Sequence, residues 1–281
     1  MTSGVNTLNF SSVDTPELFV ESLRTTGFGI LKNHPIHPDK ISKAYKCWES
    51  FFQSESKFDY IFDTLSQDGY FPFLTENAKG NSVKDLKEFY HYYPWGRIPE
   101  NIGLITKNLY KDMVEVGSIL LNWIEKYTPD KIKNNFCMPL SEMINDSNNN
   151  LLRIIHYPPI IGKQDQSAIR AADHEDINFI TVLAAGTQPG LEVKDVEGKW
   201  HQVSCDPGML VVNIGDMLEL VSDKYYPSTT HKVSNPSKEL KKKSRYSMPL
   251  FLHPKDDVVL SSSYTAKSFL DERLKEIGLK K

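Results

Sequence analysis

Residues 170–183 have the sequence RAADHEDINFITVL, and this stretch determines how the second half of the chain is expected to fold. It joins a polar run, DHED, to an apolar, β-branched run that predicts a buried strand. Similar short β-rich segments precede and follow it, and turns rich in glycine and proline separate them. This pattern is typical of a β-sandwich or barrel, of which a jelly roll is one form. The predicted strands lie at residues 151–157, 178–184, 190–194, 203, 209–214, 229–233, 246–251 and 258–260.

The first half of the chain has a different, mainly helical pattern. Apolar residues recur there at three- and four-residue spacing, which is typical of helices with one buried face. A short strand is predicted at residues 28–31, and residues 63–82 are expected to be a loop with one short strand at most. The predicted helices of the whole chain span residues 16–26, 39–53, 104–127 and 265–277.

These patterns together predict an α+β fold with a mainly β core. Residues 1–145 are expected to form a helical and mixed region that packs on the core. Residues 146–281 are expected to form the jelly-roll core with its C-terminal helix, and both regions to make one compact unit.

Composition narrows the classes of partner. The 281 residues are 40% hydrophobic and 25% charged, as in ordinary globular proteins, and the net charge of −3 favours neither nucleic acid nor an anionic membrane. The cysteines Cys47, Cys137 and Cys205 are odd in number and far apart, which suits a reducing compartment. Residues 1–10 lack the features of a signal peptide, and no apolar stretch approaches the roughly 20 residues of a membrane span. We therefore expect a cytoplasmic protein that binds a small molecule.

His174 and Asp176, two residues apart, are the first candidates for chemistry. On an extended strand both side chains face the same side, and His231 on another strand would supply a third ligand. Two imidazoles and a carboxylate with open positions opposite suit ferrous iron, whereas structural zinc sites are closed and rich in sulfur. Each of these residues also has an ordinary interpretation, because paired polar residues arise by chance and a lone histidine often belongs to a core or turn.

Arg245 and Ser247 repeat the same two-residue spacing and form a candidate carboxylate receptor. A guanidinium donates two parallel, charge-assisted hydrogen bonds, and a neighbouring hydroxyl adds another. Tyr157, at the end of a predicted strand, would be a third donor. The alternative is an exposed basic hairpin, since three lysines at residues 241–243 come immediately before.

Several segments of the sequence, taken in their order along the chain, resemble the Fe(II)/2-oxoglutarate oxygenases of the isopenicillin N synthase-like family. The resemblance covers roughly residues 14–255, is looser in the first half, and implies a distorted double-stranded β-helix flanked by N-terminal helices and a C-terminal helix. The matching segments include RIIHYPP at residues 153–159, RAADHEDINFITVL at 170–183, PGLEV at 189–193, PGMLVVNIGDM at 207–217, THKV at 230–233 and RYSMPLFLHP at 245–254.

The resemblance implies roles for the candidate residues. It implies Fe(II) as cofactor, with 2-oxoglutarate and O2 as co-substrates, in an enzyme that oxidises a small organic molecule and releases succinate and CO2. The implied iron ligands are His174, Asp176 and His231, and the implied 2-oxoglutarate contacts are Arg245 and Ser247 with help from Tyr157.

Three details of the sequence bear on these roles. Ile155 stands where many relatives have asparagine, and His156 where a tyrosine is common, so one co-substrate contact is expected to be weakened while the Arg245 and Ser247 contacts remain. Asp216 is expected to be structural, because no histidine lies two residues from it. Gly215 before it is expected to supply backbone freedom in a tight turn.

The substrate is less well indicated. Alternation back from His174 places Arg170 on the same face, where it would either bind a substrate carboxylate or anchor the edge of the barrel. Aromatic residues of the first half would either line a pocket or pack against the sandwich. A small polar or carboxylated metabolite is the expected substrate, and the first-half candidates are Tyr70, Phe71, Tyr90, Tyr92 and Arg97.

Three other functions remain open at this point. One is an iron oxidase of the same fold that acts without 2-oxoglutarate, as isopenicillin N synthase does. The second is a sandwich that binds a metal or metabolite without oxidising anything. The third is modification of a protein or nucleic acid, of which the nucleic acid is disfavoured by the near-neutral charge.

Overall fold

A computed structural model describes residues 5–76, 83–161, 168–195, 197–203 and 206–276. Cys205 lies outside this part, and the described cysteines, Cys47 and Cys137, are free thiols. The helices are α1 (Thr15–Thr26), α2 (Pro38–Gln53), α3 (Glu100–Tyr127), α4 (Asp130–Lys133), α5 (Leu140–Ile144), α6 (Asp216–Val221) and α7 (Ala266–Glu276), with a 3₁₀-helix at Glu55–Tyr60.

Twelve strands are found in the described residues. In the first half of the chain they are β1 (Thr7–Asn9), β2 (Phe28–Lys32), β3 (Gly69–Phe71) and β4 (Glu88–Tyr92). In the second half they are β5 (Leu151–Tyr157), β6 (Ala171–His174), β7 (Ile180–Ala184), β8 (Leu191–Lys194), β9 (Trp200–Gln202), β10 (Leu210–Ile214), β11 (His231–Val233) and β12 (Arg245–Leu252).

The strands form two sheets, which confirms the predicted sandwich-like arrangement. The large sheet has the order β1-β2-β10-β7-β12-β5-β4-β3, and the small sheet has the order β6-β11-β8-β9. Strands of the N-terminal region lie at both edges of the large sheet, β1 and β2 at one and β3 and β4 at the other. The N-terminal region therefore completes the sheet that the second half begins.

Alternation along the strands of the large sheet separates two faces. One face packs against α1, α2 and α3 in the main core, to which Leu152 and Ile154 of β5 belong. The opposite face meets the small sheet, where Ile155 and Tyr157 of β5 lie in a cluster with Val233 of β11. The first is called the helix face and the second the inner face below.

The long predicted helices are confirmed, and their ends have identifiable causes. Pro16 opens α1, because its fixed φ suits the first turn and its missing N–H is not needed there. Gly27 closes α1 with φ 71°, and its N–H donates to the Leu23 carbonyl at 2.8 Å. The buried side of α3 carries Leu109, Met113 and Leu120, which pack in the main core.

Two sequence-based expectations about local structure are wrong. Residues 258–260 form no strand, because Val259 makes only an isolated bridge with Thr265. Gly215 has φ −111°, which any residue adopts, so backbone freedom is not its role. A Cβ there would lie 2.2 Å from the Asn178 carbonyl oxygen, so the position requires glycine for close approach of two chain segments.

Residues 77–82 of the predicted loop lie outside the described residues, as does residue 277 at the end of the last predicted helix. Among the described residues, no helix combines the length and apolar character needed to cross a membrane.

Candidate metal centre and adjoining anion site

The three predicted metal ligands come together at the end of the small sheet. His174 is the last residue of β6, His231 is the first of β11, and the two pair directly across the strands. Asp176 follows His174 in the loop that leads to β7. The strand pairing that joins β6 and β11 therefore brings together residues that are more than fifty positions apart in sequence.

The ligand atoms of these residues converge. The Asp176 Oδ1 atom lies 3.9 Å from the His174 Nε2 atom and 3.8 Å from the His231 Nε2 atom. In the part of the chain described, this is the one group of three or more histidine, cysteine, aspartate or glutamate residues whose ligand atoms lie within 4.8 Å of one another. Asp216, as expected, does not belong to it.

Backbone carbonyls hold both imidazoles in the tautomer that a metal requires. The His174 Nδ1 atom is 2.7 Å from the Ala172 carbonyl, and the His231 Nδ1 atom is 3.2 Å from the Thr229 carbonyl. A carbonyl only accepts, so each Nδ1 atom must carry the proton and donate it. Each Nε2 atom then keeps its lone pair free toward Asp176, as in proteins where outer hydrogen bonds orient metal-bound histidines.

Two residues that sequence reasoning missed orient the Asp176 carboxylate. The Thr181 hydroxyl donates to the Asp176 Oδ2 atom at 2.6 Å, and the Asn213 amide donates to the same oxygen at 2.8 Å. The Oδ1 atom is left to face the histidines. The NIGD run at residues 213–216 was the available signal, although its spacing from Asp176 does not reveal the contact.

The electrostatics favour the protonation states that bind a metal. Burial, followed by the charge of His231, lowers the pKa of His174 to about 4, so its imidazole is neutral at neutral pH. Burial alone would raise the pKa of Asp176, but His231, His174 and the two hydrogen-bond donors lower it. A neutral imidazole at His174 and an ionised carboxylate at Asp176 are the forms of these two side chains that bind a divalent metal.

This donor set fits Fe(II) better than structural zinc. Two nitrogen atoms and one oxygen atom lie on one side, which is the three-ligand arrangement of non-haem Fe(II) oxygenases. Structural zinc sites have four protein ligands and are rich in sulfur, and no cysteine of the described residues belongs to this group.

The predicted carboxylate receptor, Arg245 with Ser247 and Tyr157, lies on the paired strands β12 and β5. Arg245 opens β12 and pairs directly with Tyr157 of β5, while Ser247 pairs with Ile155. The Arg245 guanidinium lies 5.0 Å from the centre of the Tyr157 ring, and its Nε atom donates to the Gln188 carbonyl at 3.0 Å. All three predicted residues are buried on the inner face, so the alternative of an exposed basic hairpin is wrong.

Gly186 leaves room for this guanidinium. A Cβ at Gly186 would lie 3.0 Å from the Arg245 Nη2 atom and 3.1 Å from the Tyr246 carbonyl oxygen. Gln188 also donates from its side-chain amide to the Ser244 carbonyl at 2.9 Å. The segment around Gly186 and Gln188 thus positions Arg245, a contribution that the two-residue motif did not indicate.

Arg170 was predicted to share a face with His174, but the strand alternation on which that prediction depends is interrupted. The pairing of β6 and β11 shifts between the pairs His231–His174 and Val233–Ala171, so β6 has one extra residue and alternation is broken. The Arg170 side chain is nevertheless fully buried, and its guanidinium lies 5.9 Å from the Tyr157 ring centre.

A buried network of charged residues extends beside the histidines. The Lys87 ammonium contacts Glu76 at 2.7 Å and Asp85 at 2.8 Å, and Arg153 contacts Glu76 at 3.2 Å. The second oxygen of Asp85 accepts the Ala172 N–H at 3.0 Å, which ties the network to β6. Burial would raise the pKa of Glu76, but Arg153 and Lys87 outweigh it and hold that pKa well below its ordinary value.

The first-half aromatic candidates divide between the two faces. Tyr70 and Tyr90 pair across β3 and β4 on the helix face, where both rings pack against Phe51 of α2. Tyr92 lies on the same face in the main core. We therefore do not retain these three as substrate residues. Phe71, by contrast, lies on the inner face in the cluster that contains Tyr157.

Arg97 is also held away from the histidines. Its Nε atom donates to Asp68 at 3.1 Å, and its Nη2 atom donates to the Ile61 carbonyl at 2.9 Å. These bonds anchor the segment after β4 to the loop before β3. Its role in the structure is therefore to join two loops, and we do not retain it as a substrate residue.

Alternation along β5 also explains the positions of Ile155 and His156, the two residues that differ from those common in relatives. Ile155 is apolar and lies on the inner face beside Tyr157, so it supplies no polar contact there. His156 points to the helix face, where its Nδ1 atom contacts Glu88 at 2.6 Å and its Nε2 atom contacts the Ser244 hydroxyl at 2.9 Å. His156 therefore belongs to the packing behind the sheet.

Comparison with known protein families identifies the class. Residues 148–254 match the family model described as the 2OG-Fe(II) oxygenase superfamily. Residues 13–110 match the one described as the N-terminal domain of non-haem dioxygenases in morphine synthesis. A solved structure from Caulobacter crescentus, described as of the 2OG-Fe(II) oxygenase family, is 31% identical with a TM-score of 0.80, covering 98% of this chain and 100% of its own.

A second solved structure, of a Shewanella oneidensis protein named as an oxygenase, is 50% identical with a TM-score of 0.90 and covers 98% of this chain and 99% of its own. The chain belongs to the 2OG-Fe(II) oxygenase superfamily and, within it, to the isopenicillin N synthase-like proteins. The predicted double-stranded β-helix is thereby confirmed.

Among curated proteins, clavatol oxidase of Penicillium crustosum is 30% identical over 162 residues, covering 54% of this chain and 44% of that protein. The chain spans from 44% to 66% of the first three curated relatives that it matches. Fe(II) and 2-oxoglutarate, with O2, are the cofactor and co-substrates of the superfamily, and the residues described above fit both groups.

Proposed function

We propose that this protein is an Fe(II)- and 2-oxoglutarate-dependent oxygenase that hydroxylates or otherwise oxidises a small organic metabolite, releasing succinate and CO2. The observation that carries the proposal is the convergence of the Nε2 atoms of His174 and His231 on the Oδ1 atom of Asp176. Each imidazole is fixed in its metal-binding tautomer, and the predicted carboxylate receptor of Arg245, Ser247 and Tyr157 is buried.

Each residue of the site has a defined task in this proposal. His174, Asp176 and His231 would hold Fe(II) through two imidazole nitrogens and one carboxylate oxygen. Arg245 and Ser247, with Tyr157 beside them, hold the distal carboxylate of 2-oxoglutarate, because a guanidinium and a hydroxyl donate several hydrogen bonds to it. Bound Fe(II) and 2-oxoglutarate would supply the activation of O2 that oxidises the substrate, and the surrounding chain would orient the substrate and exclude water.

The substrate is proposed to lie on the inner face beside Phe71 and the buried charged network. Lys87 and Arg153 are balanced there by Glu76 and Asp85, so a polar molecule with both donors and acceptors suits the surroundings. Family membership and the ordinary net charge support a small molecule rather than a nucleic acid.

Location and domain organisation are proposed on separate grounds. The free thiols of Cys47 and Cys137 suit the reducing conditions of the cytoplasm. Residues 1–145 and 146–281 are proposed to act as one structural unit, because β2 pairs with β10 and β4 pairs with β5.

Anaerobic titration of the Fe(II)-loaded protein with 2-oxoglutarate tests the proposed function. We expect a saturable visible charge-transfer band, succinate formation when O2 and substrate are supplied, and loss of both in His174→Ala and Asp176→Ala. Absence of the band despite stoichiometric iron would favour an oxidase that binds its substrate directly to iron. Retained turnover in both variants would contradict the iron assignment.

A further inference from the structure

Arg170 is a fully buried cation whose hydrogen-bonding capacity is mostly unused. Its Nη2 atom donates to the Lys243 carbonyl at 3.3 Å. Its Nε and Nη1 atoms are buried and have no hydrogen-bond partner among the described residues. A buried charged donor without a partner is costly, so a guanidinium in this state indicates a ligand that completes its hydrogen bonds.

Arg245, the neighbour of Arg170, also has an unused hydrogen-bond donor. The Arg245 Nη1 atom is buried and has no hydrogen-bond partner in the part of the chain described. The two guanidinium carbons lie 5.0 Å (Arg245) and 5.9 Å (Arg170) from the centre of one ring, that of Tyr157. Burial, followed by the charge of Arg245, lowers the pKa of Arg170 to about 10, as is expected for neighbouring buried cations.

The contrast with the nearby buried cations is informative. Lys87 contacts two carboxylates and Arg153 contacts one, so those charges are balanced within the chain. No described carboxylate lies within ion-pair distance of Arg170 or Arg245, so their nearest charge partner must come from elsewhere. Two adjacent cations with free donors form a receptor for an anion.

We propose that Arg170 and Arg245 together hold the distal carboxylate of 2-oxoglutarate, so that Arg170 determines co-substrate specificity and is not a substrate anchor. The inference rests on the proposed function, because it assigns the anion to the same co-substrate. A carboxylate has about four lone-pair sites, which is enough for two guanidinium groups and the Ser247 hydroxyl.

A comparison of two keto acids tests this role. Unsubstituted protein and Arg170→Met are loaded with Fe(II) without O2 and titrated with 2-oxoglutarate and with 2-oxopentanoate, which lacks the distal carboxylate. The charge-transfer band and the thermal shift both report binding. For 2-oxoglutarate we expect a dissociation constant about 10- to 100-fold higher in the variant, as for the loss of charge-assisted hydrogen bonds. For 2-oxopentanoate we expect no change.

Two further variants keep the test decisive. Arg170→Lys retains the charge without the planar guanidinium, so we expect a smaller loss of affinity, and for 2-oxoglutarate alone. This variant replaces Arg170→Met if Arg170→Met does not fold. Arg97→Met removes an arginine that has a carboxylate partner, Asp68, and that the structure holds away from the site, and we expect it to leave the ratio of the two dissociation constants unchanged.

Three results would overturn the proposal. Equal weakening of both keto acids in the Arg170 variants would show a purely structural role. Unchanged 2-oxoglutarate binding in the Arg170 variants would show that Arg170 takes no part in holding the co-substrate. Failure of the unsubstituted protein to bind 2-oxoglutarate would contradict the proposed function as well, and it is distinguishable because it precedes any substitution.

Discussion

Replacing Asn213 by alanine removes one of the two hydrogen bonds that orient the proposed carboxylate ligand of the iron. The Asn213 amide donates to the Asp176 Oδ2 atom at 2.8 Å, and both residues are buried, so water does not replace the lost donor at full strength. A hydrogen bond to a charged group contributes about 1.5–3 kcal/mol, which corresponds to about a 10- to 100-fold loss of Fe(II) affinity. Outer hydrogen bonds of other metal sites have effects of this size.

Thr181→Val tests the second donor with little change in shape, because valine keeps the branched side chain and loses the hydroxyl that bonds to Asp176 at 2.6 Å. We expect each single variant to lose affinity and the double variant to lose most, since the Oδ2 atom then has neither of these donors. Anaerobic competition of the protein with a chelator for Fe(II) measures the affinity, and thermal unfolding of the metal-free protein measures stability.

Asn150→Ala is the matched control. Asn150 is also buried and makes two hydrogen bonds, to the Ile144 carbonyl and from the His253 N–H, but it does not contact the three proposed ligands. We expect a similar loss of stability without a loss of Fe(II) affinity. Affinities within about threefold of the unsubstituted protein in all Asp176-donor variants, or an equal loss in Asn150→Ala, would refute the reasoning.

Three other changes have definite expected outcomes. Arg245→Leu should raise the 2-oxoglutarate concentration needed for half-saturation at least about 30-fold, because the buried charge partner of the co-substrate is lost. Steady-state kinetics measures this concentration, and an unchanged value would show that the anion site lies elsewhere. Glu76→Gln should reduce the free energy of unfolding at neutral pH by about 3 kcal/mol, since it breaks a buried ion pair. The pKa of Glu76 is lowered from its ordinary 4.5, so its stabilisation is present above that pH and is lost as the pH falls below it. Urea unfolding should therefore depend more steeply on pH below about 4.5 in the unsubstituted protein than in the variant, and equal slopes would contradict the ion-pair assignment. Tyr90→Phe should lower the free energy of unfolding by about 1 kcal/mol, because the hydrogen bond from Tyr90 to the Arg97 carbonyl is lost. Because Tyr90 lies on the helix face, kcat/KM should stay unchanged. A changed kcat/KM would place Tyr90 in the substrate site.

Local patterns accounted for much of the second half of the chain. Strands such as β7 and β10 are short, apolar and bounded by turn residues, so propensity and periodicity locate them within one or two residues. The β4 strand was missed, because its EFYHY sequence is rich in aromatic residues and was considered only as a pocket lining or as packing against the sandwich. Pairing with β5 fixes it as a strand, and that contact joins residues sixty or more positions apart.

The sequence predicted less well which face of the large sheet a side chain occupies. Tyr70 and Phe71 are neighbours and both aromatic, yet strand alternation sends Tyr70 to the helices and Phe71 to the inner face. Arg170 shows the same limit, since one extra residue in β6 breaks the alternation that was used to orient it.

The sequence by itself determined the identity and spacing of the proposed ligands, because His174 with Asp176 and Arg245 with Ser247 are local pairs whose chemistry follows from residue type. Only the tertiary structure decided which distant groups complete them. Thr181 and Asn213 reach Asp176 from two strands of the large sheet, and Arg170 reaches Arg245 from another segment. These contacts depend on how the two sheets pack, and no periodicity within one strand encodes the packing of two sheets.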